Sequence, residues 1–168
     1  QVTQRRENER LAMIAERTDN AVLVTDGSGH VVWTNLGFKR MTGYDLVDVV
    51  GRTPGSVLQG PETDPVVVAA MRRRVRAGEA FAQTVLNYNR DGTPYWVAIE
   101  AQPMVDADGA LTGFMAIARD VTEDRRRAAA LLTAKEESDR HAASATAAAN
   151  AKSAFLASMS HEIRTPMN

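Results

Sequence analysis

From Val121 to Thr165 the chain contains neither glycine nor proline. These are the residues that interrupt a helix, one through backbone entropy and the other through its missing N–H. The stretch is rich in alanine, the strongest helix former. A single helix over this length would span roughly 65 Å at about 1.5 Å per residue. Asp120-Val-Thr-Glu123 precedes it with the D-x-x-E pattern of a capping box, so the helix is expected to start where a strand ends. One heptad frame runs through it. Ala128, Lys135, Ala142, Ala149, Leu156 and Ile163 take position a, and Leu131, Ser138, Ala145, Lys152 and Met159 take d. The alanines bury little area, which makes the seam weak. Two readings follow: a single alanine-rich helix acting as a spacer, or a parallel dimeric coiled coil. Persistence of the frame favours the coiled coil. A weak seam also suits a switch, because small rotations cost little.

Near the end of this helix Leu156, Met159 and Ile163 form one apolar stripe. His161 lies off the stripe, at heptad position f, with Glu162 beside it and Pro166 set to end or kink the helix. An exposed imidazole next to a carboxylate is a nucleophile with a general base at hand. The plain alternative is a surface histidine on a solvated helix.

Upstream, the first nineteen residues are charged, and Leu11, Ile14 and Ala15 mark an amphipathic helix over Arg5 to Glu16. Strand signals then begin. Ala21 to Thr25 and His30 to Thr34 flank the turn Asp26-Gly-Ser-Gly29, a hairpin arrangement. Asn35 to Tyr44 and Asp45 to Val50 read as short helices, and Gly51 to Asp64 as a loop with little regular structure. Asp64 is placed to cap a helix with Pro65 at its first position, running to about Arg76 and ending at Gly78. Three strands follow, Phe81 to Tyr88, Pro94 to Val105 and Leu111 to Arg119, joined by Asn89-Arg-Asp-Gly92 and Asp106-Ala-Asp-Gly109, both typical of hairpins. This pattern predicts an α+β domain: a five-stranded antiparallel sheet with helices on one face. The space between them is filled either by side chains or by a ligand. The filled version would use Val22, Val24, Val32, Met41, Val57, Met71, Leu86, Ile99, Met115 and Ile117 as its core.

Composition narrows function. The net charge is −1, which gives no electrostatic case for nucleic acid. The runs Arg72-Arg73-Arg74 and Arg125-Arg126-Arg127 read as solvated helix faces. There is no cysteine, so disulfides, thiolate metal sites and cysteinyl adducts are excluded; a reducing cytoplasm fits. No residue cluster suggests a metal site. His30 sits beside a turn and offers haem no placed axial ligand. No apolar run is long enough to cross a bilayer. The chain opens on Gln1, so it reads as an excised fragment and leaves an upstream membrane segment open.

Phe155-Leu156 followed by Ser160-His-Glu-Ile-Arg-Thr-Pro-Met-Asn168 resembles the H-box of sensor histidine kinases. That resemblance implies that His161 is the phosphoacceptor of a homodimeric helix and that Glu162 is its general base. It further implies that Thr165 positions water for the phosphatase reaction. Phosphate would come from ATP held by the kinase's own ATP-binding domain and would pass to an aspartate of a response regulator. Neither that domain nor a second dimerisation helix lies within the sequence, so the chain alone should not phosphorylate itself. Residues 20–120 resemble a PAS domain, through Asn35-Leu-Gly-Phe38, Met41-Thr-Gly-Tyr44, Val50-Gly-Arg52, Arg90-Asp-Gly-Thr-Pro-Tyr-Trp96 and Asp120-Val-Thr-Glu123. The implied sheet order is 2-1-5-4-3.

Leu58-Gln-Gly-Pro-Glu-Thr-Asp-Pro65 with Asn87-Tyr88 is similar to the flavin-binding, light-sensing LOV branch. The segment Thr53 to Gln59 is one residue longer than the branch's pattern. It lacks both the cysteine that bonds to FMN and the arginine that holds its phosphate. Val97 and Ala118 stand where asparagine and glutamine are expected. Gln59 and Asn87 survive. The resemblance therefore implies, at most, a non-covalent FMN or FAD held through Asn87, Gln59 and Trp33, with no cysteinyl adduct. The other outcomes are an unidentified small ligand or a ligand-free interaction module. The whole chain then reads as an N-terminal helix (1–19), a PAS sensor domain (20–120), a coiled-coil transmission helix (121–150) and the start of the dimerisation and phosphoacceptor domain (151–168).

Overall fold

A computed structural model describes residues 15, 16 and 18–164. The described residues form five strands and five helices in two compact units, one ending at Glu123 and the other beginning at Asp124. Most of the expected N-terminal helix, and Thr165 with the residues after it, lie outside the described residues.

In the first unit, β1 (Ala21–Asp26) and β2 (Val31–Thr34) lead into α1 (Leu36–Thr42), α2 (Leu46–Val49), α3 (Pro54–Leu58) and α4 (Pro65–Arg76). Strands β3 (Phe81–Tyr88), β4 (Pro94–Val105) and β5 (Leu111–Asp120) complete one antiparallel sheet in the order β2-β1-β5-β4-β3. Three of its turns use the same chemistry. Asp26, Asn89 and Asp106 each accept two backbone N–H groups on one side-chain oxygen. Each turn then closes on a glycine with positive φ, Gly29, Gly92 or Gly109, where an L side chain would be strained.

Asn35 ties the sheet to α1. Its buried Oδ1 accepts Phe38 N–H at 2.9 Å, which caps the helix. The same oxygen accepts Val22 N–H from β1 at 2.8 Å. Its Nδ2 donates to the carbonyls of Ala15 and Asn20. Asp64 caps α4 by accepting Val66 N–H, with Pro65 in the first position. The stretch expected to be a loop, Gly51 to Asp64, contains α3. Pro54 presets the first turn there. Leu58 anchors it in the core at 5% exposure, a tertiary contact that outweighs the local Gly and Pro content.

The core also differs from its sequence reading. Val32, Met115 and Ile117 are 49%, 41% and 42% exposed. The helix-covered face carries Ala21, Leu23, Val85, Val97, Ala101, Ala116 and Ala118 instead. A strand turns alternate residues to opposite faces, and a choice by size picks the larger, outward set in β5. Of the other expected core residues, Val22 and Leu86 are buried, and Met41, Val57, Met71 and Ile99 pack against the core in part.

Strand β5 passes straight into α5 (Thr122–Arg164), one helix of 43 residues. Its first turn is fixed within the first unit. Asp120 Oδ1 accepts Thr122 N–H at 2.9 Å, and Thr122 Oγ1 accepts Trp96 N–H at 2.8 Å. Val121 N–H donates to the Trp96 carbonyl at 2.9 Å. In the second unit every residue from Asp124 to Ile163 is exposed. No helix among the described residues is long and apolar enough to cross a membrane.

Candidate functional site

The inner sheet face and the helices over it do not fill the space between them. A cavity of about 340 Å³ remains, bounded by β1, β3, β4, β5 and by α1, α3 and α4. Small residues on the central strands leave this room: Ala101, Ala116 and Ala118 all line it. A core filled with side chains is therefore not what this sequence makes. Volume is missing from the strands at the positions where the fold brings them opposite the helices.

At one side of the cavity Asn87 and Tyr95 are cross-strand neighbours, and both line it. Burial pushes the Tyr95 hydroxyl up to about 12, and the nearby Asn87 amide opposes that shift, as expected when a buried acid resists ionising. Thr25 and Thr42 also line the space, but their hydroxyls donate to the carbonyls of Asp26 and Phe38 at 3.0 and 2.8 Å. Gln59 lines it from the end of α3. Its side chain folds back over Gly55, where a Cβ would come 2.5 Å from Gln59 Nε2.

The charged lining is one-sided. Arg72 and Arg76 border the cavity from α4 and are themselves exposed, so they stand at its mouth. No Asp or Glu lines it among the described residues. Ser28 and Gly29 of the β1–β2 turn complete the rim. In that turn the His30 amide bonds to Asp26 and holds its carboxyl below the usual carboxylate range; slight burial opposes this and the Ser28 amide adds to it.

Two of the three expected pocket residues, Gln59 and Asn87, meet at the cavity. Trp33 does not line it. Trp33 pairs with Val24, whereas the cavity-lining residues of β1 are Ala21, Leu23 and Thr25, which alternate with Val24. His30 lies outside the lining, 3.5 Å from Asp26. His161 and Glu162 are exposed on α5. Sequence reasoning misses Arg72, Arg76 and Tyr95. The arginine run looks like a wholly solvated face. Yet Arg72 and Arg76, at i and i+4, share one side of the helix with Met71 and Val75 nearby.

Residues 19–123 match the family of PAS domains. Among curated proteins, the blue-light-activated histidine kinase of Rhizobium johnstonii is 36% identical over 120 residues, covering 69% of this chain and 34% of that protein. Two-component system protein A of Emericella nidulans is 32% identical over 152 residues, 89% of this chain and 20% of the relative. The chain thus spans about a third or less of the length of these relatives. Among solved structures, the LOV domain of an Erythrobacter litoralis blue-light activated histidine kinase aligns with a TM-score of 0.59 at 31% identity, covering 63% of this chain and 99% of that one. An RNA-binding Light-Oxygen-Voltage receptor aligns with a TM-score of 0.69 at 27% identity, covering 80% of this chain and 38% of that one.

Proposed function

The chain belongs to the PAS domain family, of the LOV type, and from that premise we propose that it is the sensing and relay portion of a two-component histidine kinase. The observation that carries this reading is a cavity-bearing domain whose last strand continues into a helix displaying His161 and Glu162. Occupancy of the cavity biases the sheet, and β5 and the fixed start of α5 lead the change out of the domain. Leu131, Leu156, Met159 and Ile163 are 72%, 56%, 43% and 68% exposed. A second copy in parallel would cover this apolar series.

At the far end, a nitrogen of His161 attacks the γ-phosphorus of ATP presented by the kinase's own ATP-binding domain. The N–P bond forms, the bond to the β,γ-bridging oxygen breaks, ADP leaves, and Glu162 takes the imidazole proton. The phosphoryl group then passes to an aspartate of a response regulator. Thr165, outside the described residues, is assigned the water-positioning role in the reverse hydrolysis. Use of ATP and a response regulator places the relay in the cytoplasm.

FMN, which this type of domain normally holds, would meet two side-chain amides in the cavity, Gln59 and Asn87. Val97 and Ala118 offer apolar surface to the same cavity. Each ring polar atom left unpaired there would cost about 1–3 kcal/mol. Without cysteine no covalent adduct forms.

The test joins this chain to an ATP-binding domain and follows acid-labile phosphate on the protein. His161→Gln should abolish the label, with the domain's melting unchanged. A label that survives the substitution would remove His161 from the chemistry.

A further inference from the structure

We propose that the edge of β3 is a pairing surface for a second copy of this chain, joined antiparallel about a two-fold axis at Gln83. This goes beyond the sensory reading above and does not depend on it. The sheet has two edges, and the chain treats them differently. Edge strand β2 is four residues long, and Gly51 and Arg52 cover it: Val31 N–H donates to the Arg52 carbonyl, and Gly51 N–H donates to the Val31 carbonyl. Edge strand β3 is eight residues long and pairs on one side only, with β4.

Hydrogen-bond parity fixes which groups of β3 face outward. Trp96 stands opposite Leu86, yet its N–H donates to Thr122 and its carbonyl accepts from Val121. The Leu86 carbonyl in turn accepts the Thr63 hydroxyl at 2.8 Å. Leu86 and Trp96 are thus a non-hydrogen-bonded pair. Such pairs alternate with bonded ones along an antiparallel ladder, so Thr84 and Ala82 share this state. Each turns its N–H and its carbonyl away from β4. Neither makes a hydrogen bond to another element among the described residues, and both are exposed.

Two donors and two acceptors in this spacing are self-complementary. With Gln83 on the axis, Ala82 exchanges both of its bonds with Thr84 of the second copy, and Thr84 with Ala82 of that copy. A register centred further along would need the Leu86 carbonyl, which Thr63 holds. A two-fold axis sets residues near their own twins, so a charged edge would repel itself. Phe81-Ala-Gln-Thr-Val-Leu-Asn-Tyr88 carries no charge and no proline, and its register with β4 runs without a shift. Charge, proline and bulges are the features that keep natural edges apart. Gln83 meets its twin with an amide that both donates and accepts. Paired in this way, two five-stranded sheets become one continuous sheet, and a distortion in one domain loads the other.

The chain has no cysteine, so single-cysteine variants of the full chain report self-pairing cleanly. Twins on the axis sit about 4.5 Å apart between Cα atoms, within disulfide range. Under mild oxidation Gln83→Cys should form a disulfide-linked dimer about tenfold faster than Ala82→Cys, Thr84→Cys or Val105→Cys, whose twins lie off the axis. Val105 is 60% exposed and measures random collision. A second reading needs no new thiol. In the unmodified chain the amides of Ala82 and Thr84 should exchange with deuterium about tenfold more slowly than in Gln83→Lys, which sets two ammonium groups face to face across the axis. The amides of Val85 and Val97, paired with each other, should exchange alike in both, showing the sheet intact.

Gln83→Cys linking no faster than Val105→Cys overturns the proposal, as does Thr84→Cys linking fastest. Ala82 and Thr84 amides that exchange as rapidly in the unmodified chain as in Gln83→Lys overturn it as well. Protection of those amides without the cross-link overturns the second copy as occupant and points to a strand of another protein.

Discussion

The two units of this molecule reach order by opposite routes. In residues 18–123, order is tertiary. Phe38, Val31, Val49 and Val97 are almost wholly buried, and short helices of four to seven residues persist because each is packed against the domain, with side-chain caps on α1 and α2. Isolated helices of that length are not stable in water. From Asp124 onward order is local. Every described side chain of the helix there is exposed, so alanine's propensity and the helix's own hydrogen bonds hold it. A packed region answers a ligand because its parts share contacts. A bare helix transmits without responding by itself, and its apolar series gains a purpose only against a second copy. Sensing and relaying therefore place different demands on sequence, and the change of regime falls at Thr122.

Three perturbations would separate these regimes or merge them, taken from the largest effect down. Asn35→Ala removes an oxygen that serves two buried N–H groups. It should lower the stability of the first unit by about 2–4 kcal/mol, read by denaturant unfolding. A loss within experimental error would mean that packing alone holds α1.

Tyr95 gives a pH-dependent effect of about 2–3 kcal/mol. Its hydroxyl titrates near 10 unfolded and at about 12 folded. Between those values the unfolded state has lost the proton and the native state keeps it. The stabilisation is thus full below pH 10 and disappears as pH rises through 12, because only the unfolded state releases its proton in that window. Unfolding curves collected across it should show the decline, and Tyr95→Phe should flatten it.

The smallest effect is Ala142→Gly. It should weaken the long helix by about 1 kcal/mol, visible in far-ultraviolet dichroism, and leave the near-ultraviolet melt of the first unit in place. A shift in both melts would join the two regions into one cooperative system and undo the contrast.

How much of this was legible follows the same division. Asp26, Asn89 and Asp106 announce their turns because the hydrogen bonds are made within five residues, and Asp64-Pro65 announces α4 for the same reason. The sheet order comes from family resemblance, since period-two alternation does not rank neighbours. Local signals fail where a long-range contact decides. Leu58 makes α3 worth forming within a Gly- and Pro-rich stretch. Ala116 and Ala118, rather than the larger Met115 and Ile117, face inward. Trp33 is turned away from the cavity by register alone. The cavity was legible only as one of two alternatives, because an absence of volume belongs to no single residue. Gln59 and Asn87 are found by motif, whereas Arg72 and Arg76 gain meaning only when α4 is laid over the sheet.

The paired bonds at Trp96 have a consequence in exchange chemistry. The Trp96 amide is protected by the Thr122 hydroxyl, and the Val121 amide by the Trp96 carbonyl. A movement that frees the first turn of α5 from β4 must open one or both of them to solvent. The protein therefore carries a built-in isotopic clock at this joint. Deuterium uptake at two amides would time each opening, and a ligand in the domain would register as the clock running faster or slower.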